Sequence, residues 1–186
     1  TFKCFGCGEG DDVIHFIEKK ENKTFVEAVK TLAAKANVEI EEQEESTEEK
    51  QKRMHREALW IANKQVADLY RRQFLQSKEA QGYAYQRWGE DYCTLKEIGY
   101  APADGHALQQ LPIKPDFLKE LGLLNRGGYD FYQNRIIIQI HDRFGHVIGF
   151  TARCMDEQQP KYLNSSESII FHKSTILFGI EDAWKT

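Results

Sequence analysis

The chain has 186 residues, of which 41% are hydrophobic and 29% are charged, proportions that are typical of a globular protein and exclude a wholly disordered chain. No run of about 18 apolar residues is present, which excludes a membrane-spanning helix. Seven glutamates and no Lys or Arg lie between residues 39 and 49, and removing these charges from the formal net charge of −4 leaves +3 for the rest of the chain. A polyanionic partner is therefore not excluded.

Two cysteines near the start form a Cys-x-x-Cys pair. Cys4 and Cys7 are separated by two residues in a glycine-rich stretch, whereas Cys93 and Cys154 are isolated. This distribution is not a disulfide framework, so we expect a reducing, cytoplasmic environment. Two thiolates at this spacing in a tight turn favour half of a tetrahedral zinc site, with the other two ligands N-terminal to Thr1. A redox-active pair is the alternative.

A short helical module and an acidic segment follow the cysteines. Thr24, with Glu27 three residues later, predicts a capping box at the start of a helix that Asn37 ends. The glutamate-rich stretch is typical of a solvated linker. We therefore expect a partial zinc-binding domain at residues 1–38, an acidic linker at 39–50 and a separate body at 51–186.

The body changes from helical to strand-forming patterns along its length. Helical periodicity runs from Thr47 to Gln76 and again from Lys78 to Trp88. Residues 135–141 are rich in β-branched side chains, Asp142–Gly145 is a turn signal, and residues 146–153 form the returning strand. A last strand at 176–180 and a helix from 181 are also expected. The expected fold class is α+β: a half zinc-ribbon knuckle with helices, then a mainly helical body with a small mixed or antiparallel sheet.

Cations, an aromatic ring and small polar groups are concentrated on the predicted hairpin and the loops after it. Lys and Arg attract nucleic-acid phosphates, small polar groups orient them, and Tyr162 can stack on an unpaired base. A solvated sheet face is the alternative, since seven Lys or Arg are balanced by seven Asp or Glu between residues 126 and 186. The residues concerned are Asn134, Arg135, Arg153, the segment 160–165 and the segment 171–173.

Two groups of motifs resemble the bacterial DnaG-type DNA primases. The segments Phe2–Gly10, Val13–Phe16 and Phe25–Val29 are similar to the zinc ribbon of that family. A longer series, in matching order and spacing, is similar to the N-terminal subdomain of the primase RNA polymerase core. It comprises Gly99–Pro102, Asn134–Ile136, Asp142–Gly145, Ile148–Phe150, Arg153, Pro160–Ser165, Phe171–Lys173 and Leu177–Ile180.

The resemblance implies roles for these residues. It implies that Cys4 and Cys7 are zinc ligands, which a preceding Cys-x-x-His pair completes in the family. It also implies a groove that holds single-stranded DNA template. Its backbone contacts would be Arg135, Arg153, Lys161 and Lys173, with Tyr162, Asn164 and Ser165 as local supports or secondary contacts.

The resemblance further implies that the parent protein is a primase, which makes short RNA primers from ribonucleoside triphosphates for DNA replication. The family's catalytic carboxylates and magnesium belong to a TOPRIM fold that begins after the position of Thr186. The chain also lacks an initiating Met, so we expect a fragment without catalytic residues and without polymerase activity.

The remaining expectations concern partners and a competing class of protein. A replicative helicase and ribonucleotides are expected to bind through other domains, in the bacterial cytoplasm and without a membrane. The main alternative is a non-enzymatic zinc-finger nucleic-acid-binding protein, a replication accessory factor of a plasmid, phage or mobile element.

Overall fold

A computed structural model describes residues 2–3, 10–21, 23–38, 46–142, 144–157 and 159–176. The chain divides into two compact units, Thr1–Ser46 and Thr47–Thr186. The predicted zinc ligands Cys4 and Cys7 lie outside the described residues, as do most of the strand expected at 176–180 and the helix expected from 181. In the part of the chain that is described, no helix is both long and apolar enough to cross a bilayer.

The first unit contains a small ribbon and two helices. Strand β1 (Phe2–Lys3) pairs antiparallel with β2 (Gly10–Asp11). Helices α1 (Val13–Glu21) and α2 (Phe25–Ala36) follow. The ring of Phe2 packs edge-on against that of Phe16, with 5.0 Å between their centroids, which joins the ribbon to α1.

The predicted capping box at the start of α2 is confirmed. The Thr24 hydroxyl accepts a hydrogen bond from the Glu27 backbone N–H at 3.4 Å, and the Glu27 carboxylate accepts one from the Thr24 backbone N–H at 2.8 Å. The hydrogen bonds from Thr24 lower the pKa of the Glu27 carboxyl. Asn37 ends the helix in the left-handed region, with φ 54°, as its tolerance of that conformation permits.

The second unit begins with helices and ends with a sheet. Its helices are α3 (Thr47–Gln76), α4 (Lys78–Trp88), α5 (Glu90–Leu95), a 3-10 helix (Ala107–Gln110) and α6 (Pro115–Glu120). Its strands are β3 (Gly99–Ala101), β4 (Arg135–His141), β5 (Val147–Cys154) and β6 (Tyr162–Asn164). They form one antiparallel sheet in the order β3-β4-β5-β6, which confirms the α+β class.

Helices cover the sheet on both sides. On the face that we call the α3 face, Ile137, Phe150 and Ala152 belong to a core cluster with the α3 side chains Leu59 and Val66. On the opposite face, called the α4 face, Ile136 and Ile138 pack with side chains of α4 and α5. Because both faces of β4 are buried, its sequence is an almost continuous apolar run and does not alternate.

Helix α3 has an exposed start and a buried remainder. Residues 47–54 are all exposed, including Met54, and burial begins at Leu59. Residues 47–50, which the sequence pattern assigns to the linker, form the first turn of this helix. The helix positions the sheet, because Asn63 Nδ2 donates a hydrogen bond to the Val147 carbonyl at 3.1 Å.

Candidate nucleic-acid interface

The register of β5 and β6 decides which candidate residues share a face. Arg153 is paired with Tyr162, and Thr151 is paired with Asn164. Cross-strand partners point to the same side of a sheet and successive residues alternate. Since Arg153 is also opposite Ile136 in the register with β4, these four side chains lie on the α4 face.

Arg153 is buried and holds the Tyr162 ring. Its side chain is 5% exposed. Its Nε donates to the Tyr83 hydroxyl at 2.8 Å and its Nη1 donates to the Tyr162 hydroxyl at 2.5 Å. The guanidinium carbon lies 5.0 Å from the centroid of the Tyr162 ring, a cation-π distance. Burial lowers the pKa of Arg153, but the hydrogen bonds to the two tyrosines outweigh it and raise the pKa overall.

The candidate side chains that reach solvent are Lys161, Tyr162, Asn164 and Lys173. Tyr162 is 45% exposed, and the other three are exposed as well. Lys161 immediately precedes β6, and its carbonyl accepts a hydrogen bond from the Cys154 backbone N–H at 3.0 Å. The loop that carries Lys161 is thereby attached to the end of β5, directly before Tyr162 in the chain.

A turn holds Lys173 in place after β6. The Glu167 carboxylate accepts a hydrogen bond from the Lys173 backbone N–H at 3.0 Å, and its second oxygen lies 3.1 Å from His172 Nδ1. These contacts lower the pKa of Glu167, the backbone bond from Lys173 most of all. Glu167 therefore fixes the backbone at Lys173.

A groove of about 440 Å³ connects Lys173 to Asn164. Its lining is mainly apolar and includes Ile138, Ile140 and Phe171, with Thr151 as a further polar group. The groove lies along the α4 face, next to the Arg153–Tyr162 pair. Lysine charge, a partly exposed ring and an apolar groove are thus adjacent on one side of the sheet.

Arg135 and Ser165 lie elsewhere. Arg135 alternates with Ile136 along β4, which places it toward the α3 face; it is 4% exposed and its Nη1 donates to the Pro160 carbonyl at 2.9 Å. Ser165 is 3% exposed. The seven candidates are therefore divided between two faces, and three of them, Arg135, Arg153 and Ser165, are buried and bonded to groups of the protein itself.

Ser165 belongs to a buried hydrogen-bond network. Its Oγ accepts a hydrogen bond from the Phe150 backbone N–H at 2.8 Å and lies 3.2 Å from the Tyr132 hydroxyl. Burial raises the pKa of Tyr132 to about 12, although its hydrogen bond with Ser165 acts in the opposite direction. Tyr132 therefore stays neutral, and the network fixes the residue that follows β6.

We expect Ser165→Ala to lower the free energy of unfolding by about 1–3 kcal/mol, because the Phe150 N–H loses its acceptor inside the core. Below the new unfolding transition, the variant should bind single-stranded DNA as the unchanged chain does. Urea unfolding and a DNA titration at low salt measure the two effects. Ser166→Ala, at the exposed neighbouring position, is the control. Weaker DNA binding by a fully folded Ser165→Ala variant would instead make Ser165 a direct contact.

No sequence pattern indicated a functional role for Tyr83. It lies on α4, 70 residues before Arg153, in a helix whose pattern indicates only packing. Its hydroxyl donates to the Cys154 carbonyl at 3.1 Å while it accepts from Arg153. No local motif marks such a contact, because it depends on the way α4 crosses the sheet.

The described residues contain no group of three or more His, Cys, Asp or Glu side chains that could hold a metal ion. Cys4 and Cys7 lie outside those residues. As a donor set, two thiolates supply half of the four ligands of a structural zinc ion, so they fit zinc only together with two further ligands.

Comparisons with known proteins agree with both units. A family model described as the N-terminal domain of the DNA primase catalytic core matches residues 69–184, and a model of the CHC2 zinc finger matches residues 1–48. The first match covers more than half of the chain. The chain belongs to the DnaG-type DNA primase family.

Curated relatives support this membership along nearly the whole chain. A DNA primase of Clostridium acetobutylicum is 37% identical over 193 aligned residues, covering 99% of this chain and 32% of the relative. A DNA primase of Halalkalibacterium halodurans is also 37% identical and covers 98% of this chain and 32% of the relative. The chain thus spans about a third of the length of these relatives.

Solved structures show the same fold. The zinc-binding and RNA polymerase domains of the Aquifex aeolicus primase superpose with a TM-score of 0.60 at 33% identity, over 97% of this chain and 45% of that one. A DnaG primase catalytic domain bound to single-stranded DNA gives a TM-score of 0.64 at 30% identity, over 70% of this chain and 46% of that one.

Proposed function

We propose that this chain supplies the template-binding surface of a DNA primase, which makes short RNA primers on single-stranded DNA for replication. The observation that carries the proposal is the exposed ring of Tyr162 with Asn164 and Lys173 on the α4 face. The exposed Lys161 precedes Tyr162 in the chain. The segment around it lies within the match to the primase core. A related catalytic domain has been solved with single-stranded DNA.

The chemistry of this surface suits a strand of any sequence. Lys161 and Lys173 offer charge to phosphates, and the partly exposed ring of Tyr162 offers a stacking partner for a base. Asn164 adds a polar group beside the groove. Since neither charge nor stacking reads base identity, a template could move across this surface while it is copied.

In this proposal Arg135, Arg153 and Ser165 support the surface from within. A phosphate reaches a guanidinium only through an accessible N–H, and both arginines are at most 5% exposed. Arg153 orients Tyr162, and Arg135 holds the loop at Pro160. The charge of the two arginines contributes to the local electrostatic potential, while the exposed side chains make the direct contacts with DNA.

Primer synthesis also needs divalent metal ions, for which clustered carboxylates are the usual ligands. We propose that magnesium and ribonucleotides bind through other parts of the enzyme, where a replicative helicase also engages it. The 186-residue chain alone would then bind template without extending a primer. We propose further that Cys4 and Cys7 contribute two thiolates to a structural zinc site, in agreement with the zinc-finger match.

The test of template binding is the salt dependence of the affinity. We expect Lys161→Ala to weaken binding to oligo(dT) and to mixed-sequence strands alike, and to reduce the slope of log K against log salt by about one. Fluorescence anisotropy between low and moderate salt measures the slope. Lys119→Ala on α6, an exposed lysine near Asp116, is the matched control. A slope for Lys161→Ala equal to that of the control would contradict the proposal.

A further inference from the structure

We infer that Tyr83 is a positioning residue for template binding, which acts by locking Arg153 so that the Tyr162 ring is held ready to stack on a base. The inference rests on the proposed function, because it assumes that Tyr162 contacts the template. It concerns a helix residue that no motif singles out, and it adds a component from α4 to a surface otherwise built by β5, β6 and the loops around them.

The first step is the geometry at the Tyr83 hydroxyl. This oxygen accepts a hydrogen bond from Arg153 Nε at 2.8 Å and donates its own proton to the Cys154 carbonyl at 3.1 Å. One hydroxyl therefore fixes both the side chain of Arg153 and the backbone of the next residue. Because the guanidinium is planar and its N–H groups diverge in fixed directions, holding Nε also sets the direction of Nη1.

Arg153 in turn holds the side chain of Tyr162. Nη1 of Arg153 donates to the Tyr162 hydroxyl, and the guanidinium carbon lies 5.0 Å from the ring centroid. The guanidinium thus lies at the hydroxyl end of the ring. Since Tyr162 is 45% exposed while Arg153 is 5% exposed, the ring presents its remaining surface to solvent from a buried, charged support.

Tyr83 is itself held in place by the packing of α4. The α4 residues Ala80 and Ala84 are fully buried against the sheet, and Tyr83 lies between them on the same side of the helix. Ser77 caps this helix by accepting a hydrogen bond from the Ala80 backbone N–H at 3.1 Å. The Tyr83 hydroxyl is thus carried by a short helix that is packed against the sheet, so it can hold Arg153 and, through it, Tyr162 in place.

The energetic reason for such an arrangement is the cost of ordering a surface ring. An unrestrained tyrosine at the edge of a sheet samples several rotamers and loses that freedom when a base stacks on it. Held by Arg153, the ring has lost the freedom already in the unbound protein. Without the Tyr83 hydroxyl, the Tyr162 ring would lose this conformational freedom only when DNA binds. The affinity would then fall although no group that contacts DNA has changed.

The test compares four variants of the 186-residue chain for binding to oligo(dT) and to an abasic strand of the same length. We expect Tyr83→Phe to raise the Kd for oligo(dT) about 2- to 10-fold, the range of one hydrogen bond, and to leave the Kd for the abasic strand and the salt slope unchanged. Tyr162→Ala should give the same pattern with a larger loss. The double variant should bind no more weakly than Tyr162→Ala alone, since Tyr83 acts through that ring.

The matched control is Tyr85→Phe. Tyr85 lies on the same helix and packs edge-on against Phe74, and its hydroxyl makes no hydrogen bond to the residues that the structure describes. It should bind both strands as the unchanged chain does. Urea unfolding of each variant fixes the conditions in which all of them are folded.

The possible outcomes distinguish a failure of the positioning role of Tyr83 from a failure of the proposed template binding. If Tyr83→Phe binds oligo(dT) normally while Tyr162→Ala is weakened, the positioning role is wrong and template binding stands. Losses that add fully in the double variant, or that appear equally on the abasic strand, would give Tyr83 a general structural role and overturn the inference. If Tyr162→Ala and Lys161→Ala both bind normally, the proposed function fails first.

Discussion

Phe150→Ala is expected to lower the free energy of unfolding by about 3–5 kcal/mol, the range for truncating a fully buried phenylalanine. Phe150 is 0% exposed at the centre of the α3 face. Its ring packs edge-on against Tyr70, with 5.9 Å between centroids, and against Tyr132 at 6.4 Å. Alanine would leave a cavity bordered by α3, because two large rings cannot both move into the space.

Urea unfolding monitored by circular dichroism measures this loss. Phe144→Ala is the matched control, because Phe144 lies in the turn between β4 and β5 and is 71% exposed. Its effect should stay within about 0.5 kcal/mol, as for most surface changes. Similar losses in the two variants would show that the α3 face is not the core of this unit.

Gly99→Ala should cost about 2–3 kcal/mol through overpacking. A Cβ at this position would lie 2.7 Å from Tyr70 Cβ and 3.1 Å from the Tyr70 backbone carbon. Neither atom can rotate away, because both belong to the rigid part of α3. The strand cannot retreat either, since Gly99 is paired with Ile137 in the sheet. Glycine is therefore required where β3 crosses the helix.

The companion change is Gly82→Ala in the middle of α4. A Cβ there meets no atom within 4 Å, so the helix gains propensity without strain and should become more stable by about 0.5–1 kcal/mol. The two substitutions add the same methyl group and are expected to move the urea midpoint in opposite directions. An unchanged midpoint for Gly99→Ala would mean that β3 does not approach α3 this closely.

Local sequence signals predicted the parts of the fold that depend on local chemistry. The spacing of Thr24 and Glu27 predicted the capping box, and the helical periodicity from Lys78 to Trp88 predicted the bounds of α4. The turn signal at Asp142 is confirmed, because its carboxylate accepts hydrogen bonds from the backbone N–H groups of Phe144 and His146. In each case neighbours along the chain supply both partners of the interaction.

The short outer strands β3 and β6 could not be predicted in the same way. Each has three residues, which is too few for an alternating pattern to stand out. They exist because β4 and β5 offer free edges on which Tyr100 and Leu163 are held by pairing. Such strands depend on the rest of the sheet, and only the three-dimensional structure brings them together.

The candidate site shows the same limit. Residue type and motif indicated a region of the chain, but not the face or depth of each side chain. The resemblance implied that Arg153 contacts the DNA backbone, but it is 5% exposed and its Nε is bonded to Tyr83, 70 residues earlier in the chain. Lys161 and Lys173 are exposed, whereas the two arginines are buried. A count of charged residues in the sequence cannot show this difference.

The exposed start of α3 and its buried remainder differ in local stability. Residues 47–54 are held by backbone hydrogen bonds and by exposed ion pairs such as Lys52–Glu48 at 2.7 Å, which contribute only a few tenths of a kcal/mol and weaken with salt. From Leu59 onward the same helix is locked into the core. The opening turns should therefore fray and exchange their amide protons early, while the interior of the helix exchanges only when the whole unit unfolds.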